Sequence, residues 1–202
     1  MFVEHLGEAV FRNDLDNSVV ELGDLLVHEG PARKAEIAAL EIFGAGRTYF
    51  VLNGTSTSNK IALSAIVGPG DPVLFGRNNH KAAVHGALLF GGGIPIHLPT
   101  ARNAQGLIGL MSWDALDEAA ILAAIGKSPL MEDKSITTKP RPFRACVLEQ
   151  CTYDGTIYNA EMILQKLGPL CDYILFDEAR ADFMKSPLVQ GRLRDGAGGE
   201  AG

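Results

Sequence analysis

The chain lacks most of the features that mark a simple functional class. It has no excess of positive charge: 18 Lys and Arg face 24 Asp and Glu, a net charge of -6 over 202 residues. A nucleic-acid footprint needs a basic patch, so that class is excluded. No apolar run reaches the roughly 18 residues that a membrane span needs. Residues 1–25 carry Glu4, Glu8, Asp14, Asp16, Glu21 and Asp24, the wrong charge for a signal peptide. A cytoplasmic protein with no membrane or nucleic-acid partner is therefore expected. Cysteine is scarce, and Cys146, Cys151 and Cys171 stand at no metal-ligand spacing. They read as reduced thiols in a core. There is one tryptophan, Trp113, which reads as core or helix-entry packing. Neither GxxxxGK[ST] nor GxGxxG occurs, so the P-loop and Rossmann fingerprints are absent.

What is present is a 47% hydrophobic composition, enough for a globular core. From residue 49 onward, short apolar runs alternate with helical periodicity. Strands are predicted at Tyr49–Leu52, Val73–Phe75, Ile94–Leu98, Ala145–Leu148 and Tyr173–Phe176. Helices are predicted at Ala32–Phe43, Thr57–Val67, residues 80–90, Trp113–Ile125 and Tyr158–Leu167. Residues 99–111 read as a long loop and 126–142 as a polar surface excursion. Earlier in the chain, Asp14–Ser18 reads as a turn, Val19–Val27 as a short helix or an arm, and His28–Pro31 as a break. His28 and Glu29 are either a catalytic pair or a loop histidine beside a solvated acid. Short strands alternating with helices predict an α/β fold with a mostly parallel sheet covered on both faces.

The chain turns on Asn53-Gly-Thr-Ser-Thr-Ser-Asn-Lys60. An apolar run stops at Asn53, glycine permits a tight turn, and hydroxyl residues lead into a helix. The first N–H groups of a helix have no internal acceptor and sit at its positive end, so such a turn can hold a phosphate. An ordinary turn with a Ser or Thr N-cap reads equally well. Three further strand ends carry polar residues: Arg77-Asn-Asn-His-Lys81, Cys151-Thr-Tyr-Asp-Gly155 and Asp177. In a parallel sheet all four would meet at the carboxyl edge, where ligands gather.

Taken together, these stretches resemble the bacterial ornithine/lysine/arginine decarboxylases, which are pyridoxal-phosphate (PLP) enzymes of fold type I. Asn17-Ser-Val-Val-Glu-Leu-Gly-Asp-Leu-Leu26, His28-Glu-Gly-Pro-Ala32 and Phe176-Asp177 add to the resemblance, which runs from about Asp14 to Lys185. It implies a three-layer, aspartate-aminotransferase-like sheet, incomplete at its C-terminal side. Residues 1–185 would be the N-terminal part of the cofactor-binding major domain, with 1–46 a helical lead-in arm. It implies pyridoxal 5'-phosphate as cofactor, a basic amino acid as substrate, release of CO2 with formation of a di- or polyamine, and a homodimer or larger homo-oligomer. Thr55 and Ser56 match the family's phosphate-binding residues. His80 matches the histidine stacked on the pyridine ring, Asp177 the carboxylate paired with the ring nitrogen, and Ala179 a small residue packed against the cofactor. Thr152 and Asp154 fall near the site. Lys60 and Lys81 read as solvated or structural. The Asn-Asn-His-Lys81 and His-Glu-Gly-Pro-Ala32 stretches favour a decarboxylase over an aminotransferase of the same fold type.

The sequence also departs from the family. The Schiff-base lysine lies in a downstream Ser-x-His-Lys motif that does not occur here. Arg180 stands where an aromatic is usual, Asp182 near an expected glycine, and Ala82 where a serine is common. Agreement is good to about Phe176 and poor after Ala179, and residues 186–202 read as a disordered or frame-shifted tail. The sequence-level expectation is thus a truncated or frame-shifted fragment with little activity of its own. The alternative is an inactive remnant that binds PLP or acts as an interaction fragment.

Overall fold

The computed structural model describes residues 2–13, 21, 23, 26–153 and 155–179. The expected turn at Asp14–Ser18, most of Val19–Val27, Asp154, the departures at Arg180 and Asp182, and the tail 186–202 lie outside the described residues. The chain divides into two compact units, residues 1–52 and 53–202. Among the described residues no helix is long and apolar enough to cross a membrane.

The first unit holds α1 (Phe2–Leu6), α2 (Glu8–Arg12) and α3 (Gly30–Phe43). The break at His28–Pro31 is the start of α3, with Glu29 as N-cap and Pro31 in the first turn, where its missing N–H costs nothing. The helix closes on Gly44 at φ 61°, a left-handed cap that glycine adopts freely. His28 does not pair with Glu29. Its Nδ1 lies 3.1 and 3.0 Å from the two carboxylate oxygens of Glu36, and its ring meets Tyr49 edge-on at 5.3 Å. Glu36 is the one buried residue of α3. Burial alone would push its carboxyl up. The hydrogen bond and charge of His28, a backbone hydrogen bond from Phe50 and a hydrogen bond from Arg33 outweigh it and hold the carboxyl below its ordinary value. This arrangement orders the loop that enters α3.

Tyr49–Leu52 is not a strand. It pairs with no strand among the described residues, and Tyr49, Phe50 and Leu52 are exposed. The apolar run gave the appearance of a buried strand, but a strand needs a ladder partner as well as apolar side chains.

The second unit is built on four parallel strands, β1 (Pro72–Gly76), β2 (Ile94–Leu98), β3 (Phe143–Glu149) and β4 (Cys171–Asp177), in the order β2-β1-β3-β4. Alternation along the strands sends side chains to two cores. Leu74, Ile96, Cys146 and Leu148 pack with α6 (Glu118–Lys127) and α7 (Ala160–Leu167) through Ile121, Ile125, Ile163 and Leu167. Val73, Phe75, Ala145 and Val147 pack with Leu63 and Val67 from α4 (Thr55–Ile66) and its end, and with Ala83 and Ala87. The result is the three-layer α/β architecture expected of a doubly covered parallel sheet.

Several helices differ from their predicted bounds for local reasons. Residues 80–90 form a short α5 (Lys81–Val84) that widens into a π-helix, His85–Phe90. Gly86 lies against α4 there: a Cβ on it would meet the Lys60 Cα at 2.9 Å and the Asn59 carbonyl oxygen at 3.0 Å. The predicted helix Trp113–Ile125 is two pieces, a 3-10 turn at Trp113–Leu116 and then α6, because the Asp117 side chain caps the Ala120 N–H at 2.8 Å. Trp113 stands in that entry turn, 39% exposed. Within the excursion 126–142, Met131 is buried and Lys134–Thr138 forms a 3-10 turn. Cys146, Cys151 and Cys171 are free and buried, as a reduced core requires.

Candidate functional site

Because all four strands run the same way, their carboxyl ends share one edge. Chain connection leaves β1 toward β2 on one side and reaches β3 and β4 on the other, so the crossover reverses between β1 and β3. Ligands collect at such a reversal point. A cavity of about 290 Å³ opens there, lined by Thr55, Ser56, Asn59, His80, Glu149, Cys151, Tyr153, Asp177 and Ala179. All five residues singled out in the sequence, Thr55, Ser56, His80, Asp177 and Ala179, are among them.

Helix α4 supplies the first three. Gly54 is its N-cap, at φ 76° and ψ 176°, and no side chain caps the helix. The simple Ser/Thr N-cap reading therefore fails at this turn. The Thr57 and Ser58 hydroxyls bond back to the Asn53 and Gly54 carbonyls at 3.2 and 3.4 Å. Those of Thr55 and Ser56 have no partner among the described residues and stand at the positive end of a 12-residue helix. Asn59 follows at i+4 and i+3, so helical spacing puts it on the same face. The turn does not follow a strand as predicted, since 49–52 is unpaired; it reaches the cavity because α4 packs over the sheet.

His80 comes from the segment after β1. It is the N-cap of α5, and its Nδ1 accepts the Ala82 N–H at 3.2 Å. That bond fixes the ring and leaves Nε2 as the nitrogen that carries the proton in the neutral form. His80 therefore caps the helix and also stands in the cavity wall.

Asp177 ends β4 and is 8% exposed. Its Oδ2 accepts Asn59 Nδ2 at 2.6 Å and its Oδ1 accepts the Ala179 N–H at 3.1 Å. The second bond is a local cap of the turn after β4. Among the described residues no cationic side chain pairs with this carboxylate, although an uncompensated buried charge is costly. Glu149 lies beside it, in register on β3.

Thr152 is not in this cavity. Its hydroxyl accepts the Thr156 N–H at 3.2 Å and its carbonyl the Gly155 N–H at 3.0 Å, which closes the turn after β3. Neighbouring Cys151 and Tyr153 are the residues that reach the wall. Asn59, Glu149, Cys151 and Tyr153 had no assigned role in the sequence. The i+3/i+4 spacing from Ser56 and Thr55 was the available signal for Asn59; cross-strand register, which gives Glu149, is invisible without the sheet. Lys60 and Lys81 do not line the cavity.

A three-layer α/β protein with an anion-suited helix start and a buried carboxylate at one edge cavity is the class that fold and site define. Comparison with known proteins narrows it. The profile of the family described as Orn/Lys/Arg decarboxylase, major domain, matches residues 1–201. The chain belongs to that family. It is 51% identical over 178 residues to the inducible ornithine decarboxylase of Escherichia coli K12, covering 88% of this chain and 24% of that one. It is 43% identical over 178 residues to the lysine decarboxylase LdcA of Pseudomonas aeruginosa, covering 88% and 23%. The crystal structure of the Francisella novicida lysine decarboxylase LdcF superposes with a TM-score of 0.77 at 32% identity, over 91% of this chain and 24% of that one. The chain thus spans about a quarter of the length of the curated relatives it matches.

Proposed function

We propose that residues 53–179 form part of the pyridoxal-phosphate site of a decarboxylase acting on a basic amino acid. The observation that carries this reading is the convergence of Thr55, Ser56, His80, Asp177 and Ala179 on one cavity of about 290 Å³. The donor set fits the cofactor. Among the described residues, the unpartnered hydroxyls at a helix N-terminus suit a phosphate dianion, and the buried carboxylate with only neutral donors suits a cationic ring nitrogen. When bound, the cofactor supplies a protonated ring that takes up the electrons left by the departing carboxylate of an amino acid.

The chain's own residues have separable tasks. Thr55 and Ser56 bind the phosphate through hydroxyl and backbone N–H groups. His80, held by its bond to Ala82, covers one face of the ring and keeps water from it. Asp177 holds the proton on the ring nitrogen, since a nearby anion favours a charged partner. Ala179 leaves room where a larger side chain would intrude. Ornithine and lysine decarboxylation are the activities printed in the names of the relatives reported above. This chain's share of that work is cofactor binding and electronic control.

Fluorescence titration of residues 1–202 with pyridoxal 5'-phosphate tests the reading, beside Asp177→Ala and a Thr55→Ala/Ser56→Ala double variant. The double variant is expected to weaken binding of both the cofactor and inorganic phosphate. Asp177→Ala is expected to weaken the cofactor alone, because phosphate has no ring nitrogen. Equal loss of both ligands in Asp177→Ala refutes the role given to it. CO2 release from ornithine, lysine and arginine, measured in parallel, separates binding from turnover. Binding without turnover favours the cofactor-binding fragment over an enzyme complete in these 202 residues.

A further inference from the structure

Asn59 has no role in the family resemblance, yet it is 4% exposed and faces the most critical carboxylate of the cavity. It reaches Asp177 from 118 residues away with a 2.6 Å bond from Nδ2 to Oδ2. An amide nitrogen only donates, so this bond takes up a lone pair on Oδ2. The Ala179 N–H makes the same demand of Oδ1. Two neutral donors, one on each oxygen, fix the carboxylate in rotation, and among the described residues no cationic side chain pairs with it. Among the described residues nothing else takes up its remaining lone pairs, which face the cavity.

We infer that Asn59 is a positioning residue: through its bond to Asp177 it fixes the orientation of the carboxylate and so sets the protonation of a cofactor ring nitrogen bound in the cavity. The inference rests on the pyridoxal-phosphate reading above. It also gives α4 a double task. One face of one helix presents Thr55 and Ser56 to the anionic end of the ligand and, one turn later, holds the group that addresses its cationic end. Any shift of α4 along its axis disturbs both.

The deciding experiment uses the full chain carrying Asn59→Ala, which deletes the donor, and Asn59→Ser, which restores a shorter hydroxyl donor, with Asp177→Ala alongside. Three quantities are read: the dissociation constant for pyridoxal 5'-phosphate, the 15N chemical shift of the ring nitrogen of labelled cofactor against pH, and the urea midpoint without cofactor. Asn59→Ala is expected to lose about tenfold or more in affinity, the scale of a hydrogen bond to a charged group. It is also expected to lower the pH at which the ring nitrogen gives up its proton. Asn59→Ser should recover part of both. If Asp177→Ala changes affinity and ring shift while Asn59→Ala changes neither, the inference is overturned and the cofactor reading stands. A lowered urea midpoint with an unmoved ring shift also overturns it, because Asn59 then only ties α4 to β4. If Asp177→Ala leaves affinity and ring shift unchanged, or the wild-type chain binds no cofactor, the reading fails and the inference with it.

Discussion

Gly86 offers the sharpest test of how α4 is held. A Cβ built there would stand 2.9 Å from the Lys60 Cα, 3.0 Å from the Asn59 carbonyl oxygen and 3.1 Å from the Leu63 Cβ. Two of these are backbone atoms of a helix that packs on the sheet, so no flexible side-chain end can swing aside. Overpacking of this kind costs about 1–3 kcal/mol. Replacing a helical glycine by alanine returns about 0.5–1 kcal/mol of backbone entropy. Gly86→Ala should therefore destabilise by about 1 kcal/mol at the middle of these ranges (about 0–2.5 across them), a fall in Tm of about 2–4 °C for a chain of this size. Gly126 near the end of α6 is the control, because nothing lies within 4 Å of its added Cβ. Gly126→Ala should raise Tm by about 1–3 °C, through the same entropy gain without the clash. Scanning calorimetry on both variants checks the pair. A Gly86→Ala protein as stable as the wild type, or both variants moving the same way, refutes the claim that backbone contact at Gly86 sets the seat of α4. The clash also bears on the cavity, since the atoms displaced belong to Asn59 and Lys60. Cofactor affinity should fall in Gly86→Ala and stay unchanged in Gly126→Ala.

Other consequences follow from single side chains. Leu63 is fully buried where α4 meets the sheet, and Leu63→Ala should cost about 2–5 kcal/mol by urea titration; a loss below 1 kcal/mol would mean that this core is loosely packed. The Glu36 carboxyl sits below its ordinary value of 4.5 because its bonds to His28, Phe50 and Arg33 outweigh burial. A depressed folded value stabilises above the unfolded one and loses that stability as pH falls through the folded value. Glu36→Gln should therefore be less stable than wild type at pH 7, with the gap narrowing below pH 4.5; a gap independent of pH would contradict this. The Cys146 thiol is pushed well above 9.0 by its hydrogen bond to Cys171 and by burial. Since the thiolate is the reactive form, Cys146 should resist iodoacetamide at pH 8 until urea unfolds the protein, with mass spectrometry of the peptides as the readout.

The parallel sheet was legible because its strands are short, β-rich and separated by helices. Val73–Phe75, Ile94–Leu98, Ala145–Leu148 and Tyr173–Phe176 all fall inside observed strands. Tyr49–Leu52 misled for a definite reason: apolar content and β-branching report that a segment is apolar, while pairing depends on a neighbour that the local sequence does not specify. Helix starts shifted where capping chemistry was close at hand, as at Asp117, which ends one turn and begins the next. Thr55, Ser56, His80, Asp177 and Ala179, which meet in one cavity, could be singled out from the family resemblance. Their surroundings could not, because Glu149 reaches the cavity by cross-strand register and Asn59 by a bond spanning 118 residues. The Glu36–His28 pair was missed because a buried acid inside an apolar helical period looks like a solvated one.

The cavity depends on two kinds of periodicity meeting. Period two along β1 and β3 sends Val73, Phe75, Ala145 and Val147 to the face that carries α4, which fixes that helix over the sheet. Period 3.6 along α4 then places Leu63 in this core and, one turn back, Asn59 at the carboxyl edge, with Ser56 and Thr55 beyond it. The apolar anchor thus determines where the polar residues stand. A one-residue slip in either element would turn Asn59 away from Asp177 and leave a buried carboxylate with a single donor. Core packing and site geometry are therefore one constraint in this chain, and core substitutions at Leu63 or Gly86 should register in cofactor affinity before they unfold the protein.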